Sequence, residues 1–302
     1  MRPFLKWIGG KRQLLPVLRR FYPQSHGRYF EPFVGGGAVF FDLVTHGHVN
    51  GHGAVLSDDN ADLIGCYRRI SRSLDEVFVE LDRLAAAHAV NGRECYLQVR
   101  DQRFNPMRAA WCDRGADPDD YSAELAAMLI YLNRTGYNGL FRLNSSGAFN
   151  VPPGRYEKPR VVNRPLLARA SSVLGAPGIR LEHSTFDRVA DQAQPGDFVY
   201  FDPPYAPLSM TANFDRYTGR GFSAADQQRL QQLLIALASR GVHVVLSNSV
   251  APSMASLYED NTAIADAGFR TWRFPARRSV NSRPDRRGLV EELIVSNIKP
   301  AA

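Results

Sequence analysis

The stretch FVYFDPPY, residues 198–205, restricts what this chain can fold into more than any other segment. Four aromatic or β-branched residues in an unbroken row read as a strand apolar on both faces, the pattern of a buried strand in an α/β sheet. Asp202 then stands at the strand's carboxyl end, where open α/β sheets hold their ligands. Pro203 and Pro204 have a fixed φ and no N–H, so the strand stops there, yet each keeps a carbonyl oxygen as an acceptor. A carboxylate beside a proline carbonyl suits a ligand with two N–H donors, such as an exocyclic amine, and Tyr205 offers a ring on which a flat group can stack. A nucleobase amine fits that description. A plain strand terminator with a packed tyrosine would use the same residue types.

Upstream segments supply the rest of a sheet. Residues 28–37, RYFEPFVGGG, read as a strand running into a glycine loop, and AVFFDLV continues as a helix packed on that sheet. Glycines there let the backbone approach a ligand closely, and the helix N-terminus favours negative charge. The full G-x-G-x-x-G spacing is missing, so no dinucleotide site is indicated. GAVLSDDN is a second strand ending in Asp58 and Asp59, about twenty residues past the glycine loop, where Rossmann-like folds hold ribose hydroxyls. One of these two acids is also a natural N-cap for the helix ADLIGCYRRI.

From residue 68 to 178 the pattern changes. RSLDEVFVELDRLAAAH and YSAELAAMLIYLNR read as helices, whereas GRECYLQVRDQRFN and WCDRGADPDD between them mix aromatic, basic and loop residues. NRTGYNGLFRLNSSGAFNVPPGRYEKPR then reads as a long exposed loop or hairpin, and long loops in compact domains usually carry function. Strand signals resume at IRLEHSTF, DFVYF, VHVVLSN and VEELIVSN, with the helical SAADQQRLQQLLIALASRG among them. The expected organisation is therefore a sheet-bearing domain, 1–67 and 179–302, interrupted by an inserted, mostly helical unit, 68–178.

A net charge of +7 in 302 residues favours a polyanionic partner. Only Lys6, Lys11, Lys158 and Lys299 are lysines among 37 basic residues; arginine, the remainder, grips phosphates and guanine edges bidentately. GC-rich coding would enrich arginine in the same way. Cys66, Cys95 and Cys112 are odd in number and widely spaced, which gives neither a disulfide framework nor a metal motif, so a reducing cytoplasm is the expected setting and no metal is expected. MRPFLKWIGGKRQLLP lacks the apolar core of a signal peptide, and no apolar run is long enough for a membrane span.

FLKWIGGKR, EPFVGGGAVFF, LSDDNADL, NRTGYNGLFRLN, FNVPPGRY, DPPYAPLS and ARRSVNS occur in the order that resembles Dam-type N6-adenine DNA methyltransferases of the D12 class, alpha group. The similarity covers most of the chain and is weakest from about 85 to 120. It implies a Rossmann-like α/β methyltransferase fold with an inserted DNA target-recognition domain, S-adenosylmethionine as cofactor, and transfer of a methyl group to adenine N6 in a short duplex sequence, GATC at first choice, after base flipping. Carried over residue by residue, the resemblance assigns Trp7, Lys11, Glu31, Phe33, Gly35, Asp58 and Asp202 to the cofactor. Asp202, Pro203, Pro204 and Tyr205 form the catalytic set. Lys6, Arg134, Tyr137, Asn138, Arg142, Asn144, Asn150 and Arg155 are expected at DNA, with Arg142 reading a guanine edge and Tyr137 and Asn138 lying near the extruded base. Arg277, Arg278, Arg283, Arg286 and Arg287 are further candidates for phosphate contact. Double-stranded DNA is the expected partner of a monomer in solution, with a cognate restriction endonuclease where one is encoded. An RNA N6-adenine methyltransferase is the main rival; an N4-cytosine enzyme more often has Ser in place of the first Asp, and a silent DNA-binding regulator would not need an intact DPPY.

Overall fold

The computed structural model describes residues 1–49, 51–205, 222–277 and 289–301. The second half of DPPYAPLS, most of ARRSVNS and the side chains of Arg277, Arg278, Arg283, Arg286 and Arg287 lie outside what is described.

A seven-stranded sheet forms the centre, in the order β3-β2-β1-β4-β5-β7-β6. Its strands are β1 (Tyr29–Glu31), β2 (Ala54–Asp58), β3 (Ile179–His183), β4 (Phe198–Phe201), β5 (His243–Ser249), β6 (Arg270–Arg277) and β7 (Leu289–Ser296). The first five run parallel, with Phe30 opposite both Val55 and Val199, and Val199 opposite Val244. β7 enters antiparallel between β5 and β6. All four residues of FVYF are buried, as the unbroken apolar row requires of a strand covered on both faces. Side chains alternate across the sheet. Tyr29, Leu56, Phe198 and Tyr200 join one core, while Phe30, Val55, Val199 and Phe201 join the other.

The helices are α1 (Leu15–Leu18), α2 (Ala38–Thr45), α3 (Ala61–Arg72), α4 (Leu74–Val90), α5 (Gly92–Gln98), α6 (Asn105–Asp113), α7 (Ala123–Thr135), α8 (Arg164–Leu174), α9 (Val189–Gln192) and α10 (Ala224–Ser239), followed by the short α11 (Pro252–Met254) and α12 (Thr262–Asp266). The expected boundary at 67/68 falls inside α3, and Leu166, Leu167, Ala170 and Leu174 of α8 share one core with Leu63, Ile64 and Tyr67 of α3. The inserted segment thus shares helices and apolar packing with the sheet-bearing part.

Three local expectations differ from what is observed. The N-cap of α3 is Asn60, whose Oδ1 accepts the Leu63 N–H at 3.1 Å, not Asp58 or Asp59; Asp58 is already engaged by two other amides. Residues 92–113, expected as mixed and partly loop, form α5, a π-helical segment Val99–Phe104 and α6 without a break in the helical course. The π segment shifts the apolar phase by one residue, which hides the 3.6-residue period. β6 lies outside the strand signals of the sequence; it is one of the two edge strands, where its Pro275 is tolerated.

Candidate active site and nucleic-acid interface

The carboxyl ends of β2, β1, β4 and β5 bring Asp58, Glu31, Asp202 and Ser247 to one side of the sheet. The neighbouring parallel pair β1 and β4 is where the strand order reverses, the position at which open α/β sheets open a ligand crevice. Asp202 follows the last residue of β4. Its Oδ1 accepts from Lys11 Nζ at 2.7 Å and from Ser247 Oγ at 3.2 Å. Ser247 is fully buried, and Tyr200 Oη lies 2.7 Å from its Oγ; with the serine proton committed to Asp202, Tyr200 is the donor of that bond. Burial pushes the Asp202 carboxyl up to about 6, against the opposing pull of the Lys11 ammonium. Lys11 itself is buried, 4 % exposed, and also donates to the Gly9 carbonyl.

Pro204 is held from the next element. Gln227 of α10 donates to the Pro204 carbonyl at 3.2 Å and accepts from Asn248 Nδ2. The phenol of Tyr205 donates to Glu292 Oε2 on β7 at 2.9 Å, and the Lys11 ammonium lies 4.6 Å from the centre of its ring. The aromatic face expected to stack on a ligand is therefore fixed at its hydroxyl end and borders the Asp202 carboxylate.

The glycine loop is braced from both flanks. Asp58 Oδ2 accepts the Gly35 N–H and Oδ1 the Asn60 N–H, each at 3.0 Å, while Tyr67 Oη donates to the Gly35 carbonyl at 2.8 Å. Gly35 has φ +45°, and a Cβ there would lie 2.8 Å from Trp7 Cδ1, so the indole rests directly on the loop backbone. Glu31 is buried; its Oε2 accepts from Tyr29 Oη and from the Phe40 N–H in the first turn of α2, where a carboxylate meets an unsatisfied helix amide. Burial raises Glu31 to about 8 and Asp58 to about 6; neighbouring Asp202 and Asp58 add to the rise at Glu31. Phe33 stacks on Phe186 and meets Phe201 and Phe222 edge-on. Glu31, Asp58 and Asp202 thus gather as an acidic, desolvated cluster at neighbouring strand ends, with Trp7 against the glycine loop and Phe33 against Phe186 and Phe201. Its chemistry suits a ligand with hydroxyl donors and positive charge, which fits a sulfonium nucleoside.

The segment 133–156 folds back as a hairpin with a bridge between Leu143 and Phe149. Arg142 is exposed; its Nε donates to Asn150 Oδ1 at 2.7 Å and its NH2 to the Asn150 carbonyl at 3.3 Å, which aims the guanidinium along the hairpin surface. Asn144 Oδ1 is occupied by the Ser146 N–H, the Ser146 hydroxyl and the Ala148 N–H, so this side chain shapes the turn. Tyr137 is 43 % exposed, and Asn138 next to it adopts φ +55°. Arg155 is exposed, as is Lys6, whose ammonium sits 3.2 Å from Tyr156 Oη. Arg134 is the exception among the expected DNA contacts. It is half-buried, donates to the Phe4 carbonyl, and burial depresses its pKa; it braces the N-terminal segment instead of facing outward.

Sequence reasoning passed over Ser247, Asn248, Gln227, Glu292 and Asn133. For two of them a signal existed: VVLSNS places Ser247 and Asn248 as polar residues at the carboxyl end of an apolar strand, the same pattern that singled out Asp202. Asn133 clamps Lys6 by its main chain, accepting the Lys6 N–H at 2.9 Å and donating to the Lys6 carbonyl at 2.7 Å, and also donates to the Gly139 carbonyl. Trp7 stacks on Phe141 of the hairpin, 5.8 Å between ring centres. The N-terminal segment therefore touches both the glycine loop and the hairpin.

A mostly parallel α/β sheet with an antiparallel β7, a braced glycine loop, acids at three strand ends and a D-P-P-Y turn defines a Rossmann-like methyltransferase. The sequence profile of the D12 class N6 adenine-specific DNA methyltransferases matches residues 7–271, and the chain belongs to that family, which acts on DNA and depends on S-adenosylmethionine. The type II methyltransferase M1.LlaDCHI of Lactococcus lactis subsp. cremoris is 39 % identical over 298 residues, covering 98 % of this chain and 95 % of its own length. The DNA adenine methylase of Salmonella typhi is 34 % identical over 296 residues, 97 % of this chain and 94 % of that protein. That of Escherichia coli strain K12 is 37 % identical over 247 residues, 82 % and 80 % of the two chains. Among the described residues no helix is long and apolar enough to cross a membrane, and no group of His, Cys, Asp and Glu could hold a metal.

Proposed function

We propose that this chain transfers a methyl group from S-adenosylmethionine to the exocyclic N6 of an adenine flipped out of duplex DNA, within a short sequence of which GATC is the first choice. The observation that carries the reading is the arrangement at the end of β4. Lys11 and Ser247 both donate to Asp202 Oδ1, which leaves Oδ2 and the Pro203 carbonyl as the pair of acceptors for the two hydrogens of the amine. Adenine's N6 lone pair is delocalised into the ring. Binding both hydrogens to acceptors on one side favours a pyramidal nitrogen whose lone pair points away from them.

The cofactor supplies a methyl group on a positively charged sulfur, already activated for displacement. The protein's part is orientation and electrostatic complementarity. Trp7, Lys11, Glu31, Phe33, Gly35 and Asp58 would hold the cofactor: Asp58 through ribose hydroxyls, the indole and Phe33 as apolar walls, and the acidic cluster through its charge. Tyr205, fixed by Glu292, would support the extruded base, because unstacking costs a few kcal/mol that a stacking wall offsets. Arg142 and Asn150 would read the major groove, and Lys6 and Arg155 would meet phosphates. Two of the relatives named above are DNA adenine methylases, and no feature of the site favours RNA. A monomer working in the cytoplasm on the chromosome, with or without a companion endonuclease, fits this reading.

Nucleoside mass spectrometry of DNA and RNA from cells expressing the protein, compared with cells expressing Asp202→Ala, tests it. N6-methyladenine in DNA that disappears with the variant is the expected result. Methylation confined to RNA, or N4-methylcytosine in DNA, would overturn it. Long-read sequencing of the same DNA then identifies the methylated sequence.

A further inference from the structure

The helical run from Gly92 to Asp113 reaches the main chain of the recognition hairpin at alternate residues. Tyr96 Oη donates to the Val151 carbonyl at 2.9 Å, and Arg100 NH1 donates to the same oxygen at 3.0 Å. Asn105 makes a two-way contact with Phe149: its Nδ2 donates to the Phe149 carbonyl at 3.0 Å and its Oδ1 accepts the Phe149 N–H at 2.9 Å. Arg108 NH1 donates to the Gly147 carbonyl at 2.7 Å. As the helix advances from 96 to 108, the hairpin positions step back from 151 to 149 to 147.

The spacing depends on the π-helical segment Val99–Phe104. Arg100 and Asn105 are five residues apart, one turn of a π-helix, whereas in an unbroken α-helix five residues overshoot a turn and Asn105 would leave the shared face. π turns of this kind are frequent at functional sites. The hairpin strand alternates accordingly: Phe149 and Val151 are buried, while Asn150 between them holds Arg142. Arg108 carries the anchor further, because its guanidinium also pairs with the buried Asp62 of α3, Nε at 2.9 Å from Oδ1 and NH2 at 2.8 Å from Oδ2. Asp62 lies on the helix that begins just after Asp58. The hairpin is thus fixed, through main-chain contacts, to the element that follows the acid of the glycine loop.

We propose that this run of side chains sets the register of the DNA-reading hairpin, and that Asn105 is a positioning residue for sequence discrimination although it lies outside the hairpin. The proposal rests on the reading of residues 133–156 as the target-recognition segment. Its contacts go to main-chain atoms of Phe149, so Asn105 governs where Asn150 and Arg142 stand without touching DNA itself.

The test compares kcat/KM of Asn105→Ala and the parent enzyme on a duplex carrying the preferred site and on duplexes altered one base pair at a time. Calorimetry with S-adenosylmethionine, DNA absent, reports whether the variant is folded. Discrimination between preferred and altered duplexes should fall about tenfold, the factor that corresponds to 1.4 kcal/mol, while cofactor affinity stays within about twofold, as expected for a site that the substitution does not touch. A folded variant that keeps its discrimination, or slows on every duplex by one factor, overturns the proposal. Should Asn105→Ala not bind cofactor, Asn105→Asp decides in the same two ways: it keeps the side-chain shape and the acceptor for the Phe149 N–H and removes only the donor to the Phe149 carbonyl. Arg142→Ala run in parallel separates the two levels. If it relaxes discrimination and Asn105→Ala does not, the anchoring idea falls and the hairpin reading stands; if Asn105→Ala relaxes it and Arg142→Ala does not, the anchoring idea stands and the role given to Arg142 falls.

Discussion

Ser247→Ala should move the acid limb of the pH profile for methyl transfer upward by about one pH unit, the equivalent of about 1.4 kcal/mol, and leave the alkaline plateau close to that of the parent. The group in question is Asp202, whose carboxyl burial raises to about 6 while Lys11 and the Ser247 hydroxyl pull it down. A hydrogen bond to a charged group is worth about 1.5–3 kcal/mol, but the Ser247 to Asp202 separation of 3.2 Å is long for such a bond, so the low end of that range applies. The sign is fixed by which form the serine serves. Ser247 donates to the carboxylate; without it the neutral acid persists to higher pH, and a protonated Asp202 is a poorer acceptor for the target amine. Activity therefore falls on the acid side, beginning at a higher pH in the variant. Tyr200 Oη loses its buried partner in the same substitution, which should cost about 1–3 kcal/mol of stability, measurable by thermal unfolding. The assay is the transfer of labelled methyl groups to a duplex, with kcat/KM recorded from pH 5 to 9, because kcat/KM reports the groups of the free enzyme. Lys11→Met gives the comparison, since the ammonium is the larger of the two influences and its removal should move the limb further. A folded Ser247→Ala enzyme whose acid limb stays in place, or moves down, would show that Asp202 is not the titrating group or that Ser247 does not donate to it.

Asp202→Ala should abolish methyl transfer in a protein that still folds, with a lowered melting temperature because the buried Lys11 ammonium loses its partner; turnover above a few per cent of normal would remove the carboxylate from the catalytic set. Asp58→Ala should weaken S-adenosylmethionine binding by about 1.5–3 kcal/mol through loss of a charge-assisted bond to ribose, with little change in DNA affinity; an unchanged calorimetric Kd would make Asp58 only a brace for Gly35 and Asn60. Gly35→Ala should also cut cofactor affinity, because its Cβ would lie 2.8 Å from the Trp7 ring in a loop at φ +45°; cofactor binding at the parent level would show that the loop and indole shift freely. Arg142→Ala should lower kcat/KM on the preferred duplex by about 1–3 kcal/mol and relax discrimination at one base pair. An equal loss on every duplex at two salt concentrations would place Arg142 on the phosphate backbone instead.

What could be read from the sequence is whatever its chemistry states locally. FVYF announces burial on both faces by being apolar at every position, and Asp202 is marked by standing where that row ends; the glycine loop and Asp58 are marked in the same way by β1 and β2. Apart from Ser247, the partners of these residues carry no such local mark. Lys11 in GGKR is indistinguishable from a solvated surface lysine until the fold brings its ammonium to Asp202, and Glu292 in VEELIVS looks like an ordinary outward residue of an alternating strand until Tyr205 is placed above it. Residues 92–113 show the limit most clearly. Their π segment breaks the periodicity that sequence reading relies on, and the same break lets Arg100 and Asn105 share one face toward the hairpin. The stretch where the family resemblance is weakest, about 85 to 120, is therefore the stretch whose side chains bond to the main chain of the hairpin. A helix that acts through main-chain bonds constrains the course of its partner and not its partner's side chains, so the contacts of Asn105 and Arg108 do not depend on which side chains the hairpin presents.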